Sequence, residues 1–351
     1  MKPYISVAVI VLLILVLSFK YLYSNSTDLL TPKEQLGRYL FFDNRLSINN
    51  TKSCASCHNN RFAFTDGYRT SITSLGENVL HNAPSIINSR YYHFLDWAHP
   101  AATNFARQIK RPLYGHQPIE LGLDLHIESL KVKFENDSLY KHLFEEVYKG
   151  TDSIFTLTHI EEAIVAYENR LVSKSSTFDE GLKDSAAIKG YQLFCSNRLN
   201  CVTCHPPPYF TLVANSNKID SVYANTGLYN VSNKNEYPEK DNGLFAITHN
   251  PADNGKYRIP SLRNVMITMP YMHDGSVNSI EEVIAIYERG GRNVDYGTNK
   301  GDGKQNKMKN KLITGFNLTS TERKELLSFL ASLTDITIIN NPIFKNPFSN
   351  P

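Results

Sequence analysis

Apolar side chains return at helical spacing in several stretches of the chain: Ile160, Ile164, Tyr167 and Leu171; Ile280, Val283, Ile284 and Tyr287; Leu326, Phe329, Leu330 and Leu333. That period predicts amphipathic helices, each with one buried face. Start signals lie ahead of or inside such runs. Thr31 with Glu34, Thr158 with Glu161, Ser279 with Glu282 and Thr319 with Glu322 each set a hydroxyl three positions before a carboxylate. This is the capping-box arrangement, which satisfies free backbone donors of a first turn. Sustained alternation of the strand type is scarce, so the chain reads as mainly α. Two connections stand out, residues 206 to 258, rich in Pro, Asn, Tyr and Gly, and residues 290 to 311, rich in Gly, Asn and Lys. Connections of that length wrap a site or move. The lysines of the second, Lys300, Lys304, Lys307, Lys309 and Lys311, read as a solvated flexible loop.

The first residues follow a different pattern. Lys2, an apolar run from Tyr4 to Phe19, then Lys20 and a polar stretch from Ser24 match an export signal without an A-x-A cleavage site. Residues 1–26 are therefore expected to be a signal peptide or an uncleaved N-terminal membrane anchor, with the bulk of the chain outside the cytoplasmic membrane, in the periplasm. The remainder is long enough for two domains. The boundary is expected in the polar stretch Ser173 to Ser176, giving an N-terminal unit 27–174 and a C-terminal unit 175–345. A net charge of +3, evenly spread, argues against nucleic acid as a partner.

Two pentapeptides change the picture most. Cys54-Ala55-Ser56-Cys57-His58 and Cys201-Val202-Thr203-Cys204-His205 are both C-x-x-C-H, one in each half of the chain. This is the attachment signature of a c-type haem. The two thiols sit about one helical turn apart, so both add to the vinyl groups, and the adjacent imidazole reaches the iron. A four-cysteine zinc site built from two C-x-x-C knuckles is the bland alternative, but it does not require a His after each knuckle. One haem per domain is the natural division. Cys195 is left unpaired in an apolar setting after Leu193 and Phe194, and reads as a buried, inert thiol.

With these motifs the sequence resembles the bacterial dihaem cytochrome c peroxidase family, including its MauG branch, over nearly the whole mature chain. The matching stretches are Leu40 to Asp43, Cys54 to His58, Asn82 to Ser85, Cys201 to His205, Pro260 to Asn264 and Pro270 to Gly275. Trp97 to Pro100, Gln108 and Pro118 to Leu123 look most like the MbnH subgroup, whose members oxidise a tryptophan on a partner protein. The resemblance implies two cytochrome c-like domains, each with one covalent haem, and long connecting loops.

It also implies roles for particular residues. Peroxidases of the family often carry a His ahead of Asn-Ala-Pro that blocks the first iron; Ser74 stands there, so that iron should be five-coordinate, with His58 proximal. His81, His93, His99 and His116 are candidate substitutes, read as surface or packed side chains. By similarity, hydrogen peroxide reacts at this open site, Glu120 shuttles its proton and Gln108 positions it. His205 supplies one ligand of the second iron, and the position that carries Met in the peroxidases is Tyr287, the MauG pattern. A phenolate lowers the potential and favours high oxidation states, where a thioether does the reverse. Met266, Met269 and Met272 are rival ligands, and Tyr287 also fits as plain core. Trp97, the one tryptophan, would relay charge between the haems, and Asn82 with the carbonyls of Thr268 and Pro270 matches the family's calcium site.

The reading is a periplasmic dihaem oxidoreductase that uses peroxide to oxidise an aromatic residue of a docked partner protein. Its rivals are a cytochrome c peroxidase fed by a small cytochrome or cupredoxin, and a non-catalytic electron-transfer cytochrome.

Overall fold

A computed structural model of the protein describes residues 29–349, so the expected signal or anchor of residues 1–26 lies outside the described residues. Seven longer helices carry the fold: α1 (Pro32–Phe42), α2 (Ile127–Glu135), α3 (Ser138–Tyr148), α4 (Leu157–Glu168), α5 (Ser185–Cys195), α6 (Ile280–Arg289) and α7 (Ser320–Ser332). Strand structure among the described residues is two antiparallel two-residue pairs, Tyr223–Ala224 with Tyr257–Arg258 and Asn293–Val294 with Gly301–Asp302. No helix of the described residues is long and apolar enough to cross a membrane. The mainly helical expectation holds.

The caps explain where the helices start. Thr31 with Glu34 and Thr319 with Glu322 form full capping boxes on α1 and α7. On α6 the box is half formed: Ser279 accepts from the Glu282 N–H, while the Glu282 carboxylate takes the Asn278 N–H. On α4 the expectation fails by two residues. The cap is Thr156, which accepts from the His159 N–H, and the Glu161 carboxylate accepts from the Tyr114 hydroxyl instead. Leu157 begins the helix and Thr158 lies inside it.

Two helix crossings organise the interior. In the first, α1 lies on α4 at Gly37, where an added Cβ would meet the Ala163 carbonyl oxygen at 1.8 Å and the Tyr167 Cβ at 3.0 Å. In the second, α5 lies on α7 at Gly190, where it would meet the Glu325 carbonyl oxygen at 1.9 Å and the Phe329 Cβ at 2.8 Å. Only glycine permits backbones this close. Around the first crossing a core collects Leu36, Leu40, Phe41, Ile164 and Tyr167; around the second, Phe194, Phe210, Leu326 and Phe329. Each such side chain withdrawn from water contributes about 1.5–3 kcal/mol. A third, smaller cluster joins Trp97 to Leu228, Tyr237 and Tyr257.

The segment at Ser173 to Ser175 is not loose. The fully buried carboxylate of Asp335 accepts from the Ser173 hydroxyl at 3.0 Å and from the Lys174 and Ser175 N–H groups at 2.9 Å. Beyond Asp335 the chain returns to the first core, where Ile338 and Phe344 are buried, Arg38 donates to the Pro342 carbonyl at 2.7 Å and the Tyr167 hydroxyl donates to that of Ile343. Residues 290 to 311 are likewise tied down rather than a free solvated loop. They hold one of the two strand pairs, Arg289 clasps Asp302, and Asn306 donates to the Tyr229 carbonyl.

Candidate functional site

Both C-x-x-C segments form single helical turns, Cys54–Cys57 and Cys201–Cys204, and the next residue turns out of the helix. In each, the His N–H still donates to the carbonyl of the first cysteine at 2.9 Å. The rings are then fixed by backbone. His58 Nδ1 lies 2.9 Å from the Phe64 carbonyl, and His205 Nδ1 lies 3.1 Å from those of Phe210 and Pro260. A proton held on Nδ1 leaves Nε2 with a free lone pair, the state in which imidazole binds a metal. Phe64 and Phe210 reach these positions with positive φ. Burial holds both imidazoles neutral, and that of His205 is pushed down to about 4.

All four cysteines are free. Burial pushes their thiols up, Cys57 to about 11 and Cys201 to about 12. Cys54 packs on the first core and Cys201 on the second, and among the described residues no three His, Cys, Asp or Glu side chains converge to hold a metal. The two knuckles are separate sites. Cys195 is also free, partly buried on the second core.

Next to the first motif the chain gathers polar groups. Ser74 is buried, its hydroxyl has no partner among the described residues, and its N–H donates to the Glu120 carbonyl at 3.0 Å. Burial and the nearby Asp96 charge raise the Glu120 carboxyl above the usual carboxylate range, with Arg111 opposing, and the Glu120 charge is felt at the Cys57 thiol. Arg111 is paired with Asp96 at 2.6 Å. Gln108 ends a short helix, Phe105–Gln108, and lines an open surface cavity with Asp96, His99 and Arg111. Glu120 does not line that cavity; it is linked to it through the charges of Arg111 and Asp96. His81 is bonded to Asp241 at 2.9 Å, His116 to Asp124 at 3.0 Å, and His93 and His99 are exposed.

The second motif opens into a deep, mostly apolar cavity, walled by Phe194, Leu199, Ile280, Ile284 and Leu330. Tyr287 lines it together with Cys201, Cys204 and His205. Its phenol makes no hydrogen bond to the described residues, and burial, followed by the charges of Cys204 and Cys201, raises its pKa. Of the three rival methionines, Met272 lines the cavity, whereas Met266 packs on the second core and Met269 is half exposed. Met272 also packs against the Trp97 cluster.

Trp97, Asn82, Thr268 and Pro270 line the same cavity. The Trp97 indole N–H donates to the Asn82 carbonyl at 2.8 Å, and the Asn82 side-chain amide donates to the Tyr68 carbonyl, also at 2.8 Å. Arg258, missed at the level of sequence, lies here too. It is buried, its guanidinium stands 5.4 Å from the Trp97 ring centroid, and its Nε has no partner among the described residues. The Asp96 charge acts on it from a distance, but no carboxylate among the described residues pairs with it in contact, which is costly for a buried cation. An apolar slot with a buried guanidinium whose Nε has no partner among the described residues, a phenol and an oriented imidazole fits a haem. The basic residue just ahead of Ile259-Pro260-Ser261 was the available signal.

A helical molecule with two oriented C-x-x-C-H turns, each packed on its own helix crossing, has the arrangement that two c-type haems require. The family model for di-haem cytochrome c peroxidase matches residues 31–187. The chain is 30% identical over 333 residues to the cytochrome-c peroxidase IdrP1 of Denitromonas iodatirespirans, covering 86% of this chain and 81% of that one. It is 28% identical to the methylamine utilization protein MauG of Methylophilus methylotrophus, over 88% of this chain and 84% of the relative. A crystal structure of a MauG-like protein associated with microbial copper homeostasis superposes with a TM-score of 0.87 at 39% identity, covering 92% of this chain and 94% of that one. The chain belongs to the di-haem cytochrome c peroxidase family, of which MauG is a member.

Proposed function

We propose that the protein is a periplasmic, peroxide-dependent oxidoreductase that carries two covalent haems, on Cys54, Cys57 and His58 in one unit and on Cys201, Cys204 and His205 in the other, and oxidises an aromatic side chain of a partner protein. The observation that carries this reading is Tyr287 in one cavity with His205 and both cysteines of the second motif. Bound there, the haems would supply the redox chemistry: peroxide O–O cleavage at the first iron and storage of the oxidising equivalents at both. What the chain adds is local. Glu120, partly desolvated beside Arg111 and Asp96, takes the peroxide proton and returns it to the leaving oxygen. Gln108 would orient the peroxide, and Ser74, a short hydroxyl in place of a His, would supply no ligand to the first haem. Tyr287, in the cavity of the second motif, would help to hold the second haem together with His205. Trp97, pinned by the Asn82 carbonyl under Arg258, relays charge between the sites. Asn82 with the carbonyls of Thr268 and Pro270 holds a calcium ion, a donor set of neutral oxygens that suits it. The resemblance of Trp97 to Pro100, Gln108 and Pro118 to Leu123 to the MbnH subgroup, whose members oxidise a tryptophan on a partner protein, favours a protein as the reductant.

Met272 in the same cavity favours a second reading, a cytochrome c peroxidase with sulfur on the second iron. A redox titration with spectra of the reduced protein separates them. A low-potential second haem without a thioether signature supports the first reading; a high-potential haem with one supports the second.

A further inference from the structure

Oxidising equivalents bound for a partner have to reach the surface, and Trp97, 9% exposed, cannot meet one itself. A second aromatic run leads outward from the same cavity. Tyr92 lines the cavity, is buried, and its hydroxyl has no hydrogen-bond partner among the described residues. Its ring meets that of Tyr209 edge to face, with centroids 6.2 Å apart. Tyr209 in turn stacks on Tyr91 at 4.8 Å and 22°. Tyr91 is 40% exposed, with the Arg90 guanidinium 5.4 Å from its ring centroid.

We propose that Tyr92, Tyr209 and Tyr91 form the exit route, along which an electron from an aromatic side chain of a partner protein docked over Tyr91 passes inward to the second cavity. This rests on the peroxide-dependent reading above. The direction follows from the surroundings of the two ends. Oxidising a tyrosine requires its phenolic proton to leave. Tyr92 is buried with no base beside it to take that proton, so an oxidising equivalent does not settle there. Tyr91 touches water, which accepts the proton. The equivalent therefore comes to rest at the surface end, where a partner is reachable. Without a partner, two equivalents meet on the stacked pair. The chemistry then balances as one peroxide and two tyrosines giving one dityrosine and two waters: two ring C–H bonds and the O–O bond break, one C–C bond forms, and two electrons and two protons pass from the rings to peroxide.

The test uses the full, haem-loaded chain with one equivalent of hydrogen peroxide and no partner, followed by peptide mass spectrometry and by the optical return to the resting spectrum. Wild type should yield a cross-linked Tyr91–Tyr209 peptide lighter by two hydrogens than its parts. Tyr91→Phe and Tyr209→Phe should abolish that peptide and slow the optical return severalfold, without slowing the initial response to peroxide. Tyr296→Phe, at an 86% exposed tyrosine outside the stack, should change neither. Oxidation appearing at Tyr296 or elsewhere, or an unchanged return in both stack variants, overturns the route alone. A wild-type spectrum that peroxide leaves unaltered sinks the peroxide reading and the route with it.

Discussion

The two halves of the molecule repeat one helix crossing and differ in what surrounds it. Gly37 seats against Ala163 and Tyr167, and Gly190 seats in the same way against Glu325 and Phe329. By that correspondence Tyr167 answers to Phe329, and Glu168, the residue after Tyr167, answers to Leu330. Each half then turns a C-x-x-C helix into a His whose Nδ1 is held by a backbone carbonyl. The scaffold for holding a haem is therefore common, and the division of labour lies in the side chains beyond it. The first half sets Ser74, Glu120 and the Arg111–Asp96 pair beside its motif, and buries Glu168, whose carboxyl burial pushes up to about 8. The second sets Tyr287 within apolar walls, with Leu330 where the first has Glu168.

If that division is right, the halves respond unequally to matched changes. Glu120→Gln should slow the reaction with peroxide by about 10²–10⁴-fold, the usual range for a lost general acid–base group, measured by stopped-flow. Because the Glu120 pKa is raised and the carboxylate is the proton acceptor, the wild-type rate should fall with acid already above the ordinary carboxylate range, and the variant should lose that dependence. Tyr287→Met should leave the peroxide step in place and raise the potential of the second haem by on the order of a hundred millivolts or more in a spectroelectrochemical titration. Equal changes are expected where the halves are alike. Gly37→Ala and Gly190→Ala should each destabilise by about 1–3 kcal/mol in chemical denaturation, since either Cβ forces its crossing apart. A further difference concerns Glu168 and is read against pH. Its folded pKa of about 8 stands above the ordinary carboxyl value of 4.5, so the fold binds the proton more tightly than the unfolded chain, and its contribution to stability is full below about 4.5 and lost as pH rises toward 8. The slope is at most about 1.4 kcal/mol per pH unit, and Glu168→Gln should flatten it.

What was legible beforehand is what local chemistry dictates. The C-x-x-C-H turns and the caps at Thr31 and Thr319 are short-range patterns, and the structure has both. Thr156 was overlooked as the cap of α4 because Thr158 with Glu161 mimics the same spacing, and Glu161 is taken by Tyr114, distant in sequence. The returning tail at Ile338 and Phe344, the Asp335 staple and the buried Arg258 depend on long-range packing that leaves little trace in a period or a motif. Trp97, Asn82, Thr268, Pro270 and Tyr287 are scattered along the chain, yet all line one cavity. Only the family resemblance joined them in advance; spacing alone left Tyr287 as readily a core residue.

The most direct test of the account is the spectrum of the purified, haem-loaded protein before and after one equivalent of hydrogen peroxide. One high-spin, five-coordinate haem is expected beside one low-spin haem without a sulfur-to-iron band, with a rapid response of both to the single equivalent. Two low-spin haems that ignore peroxide, or a thioether band from the haem on Cys201 and Cys204, would contradict it.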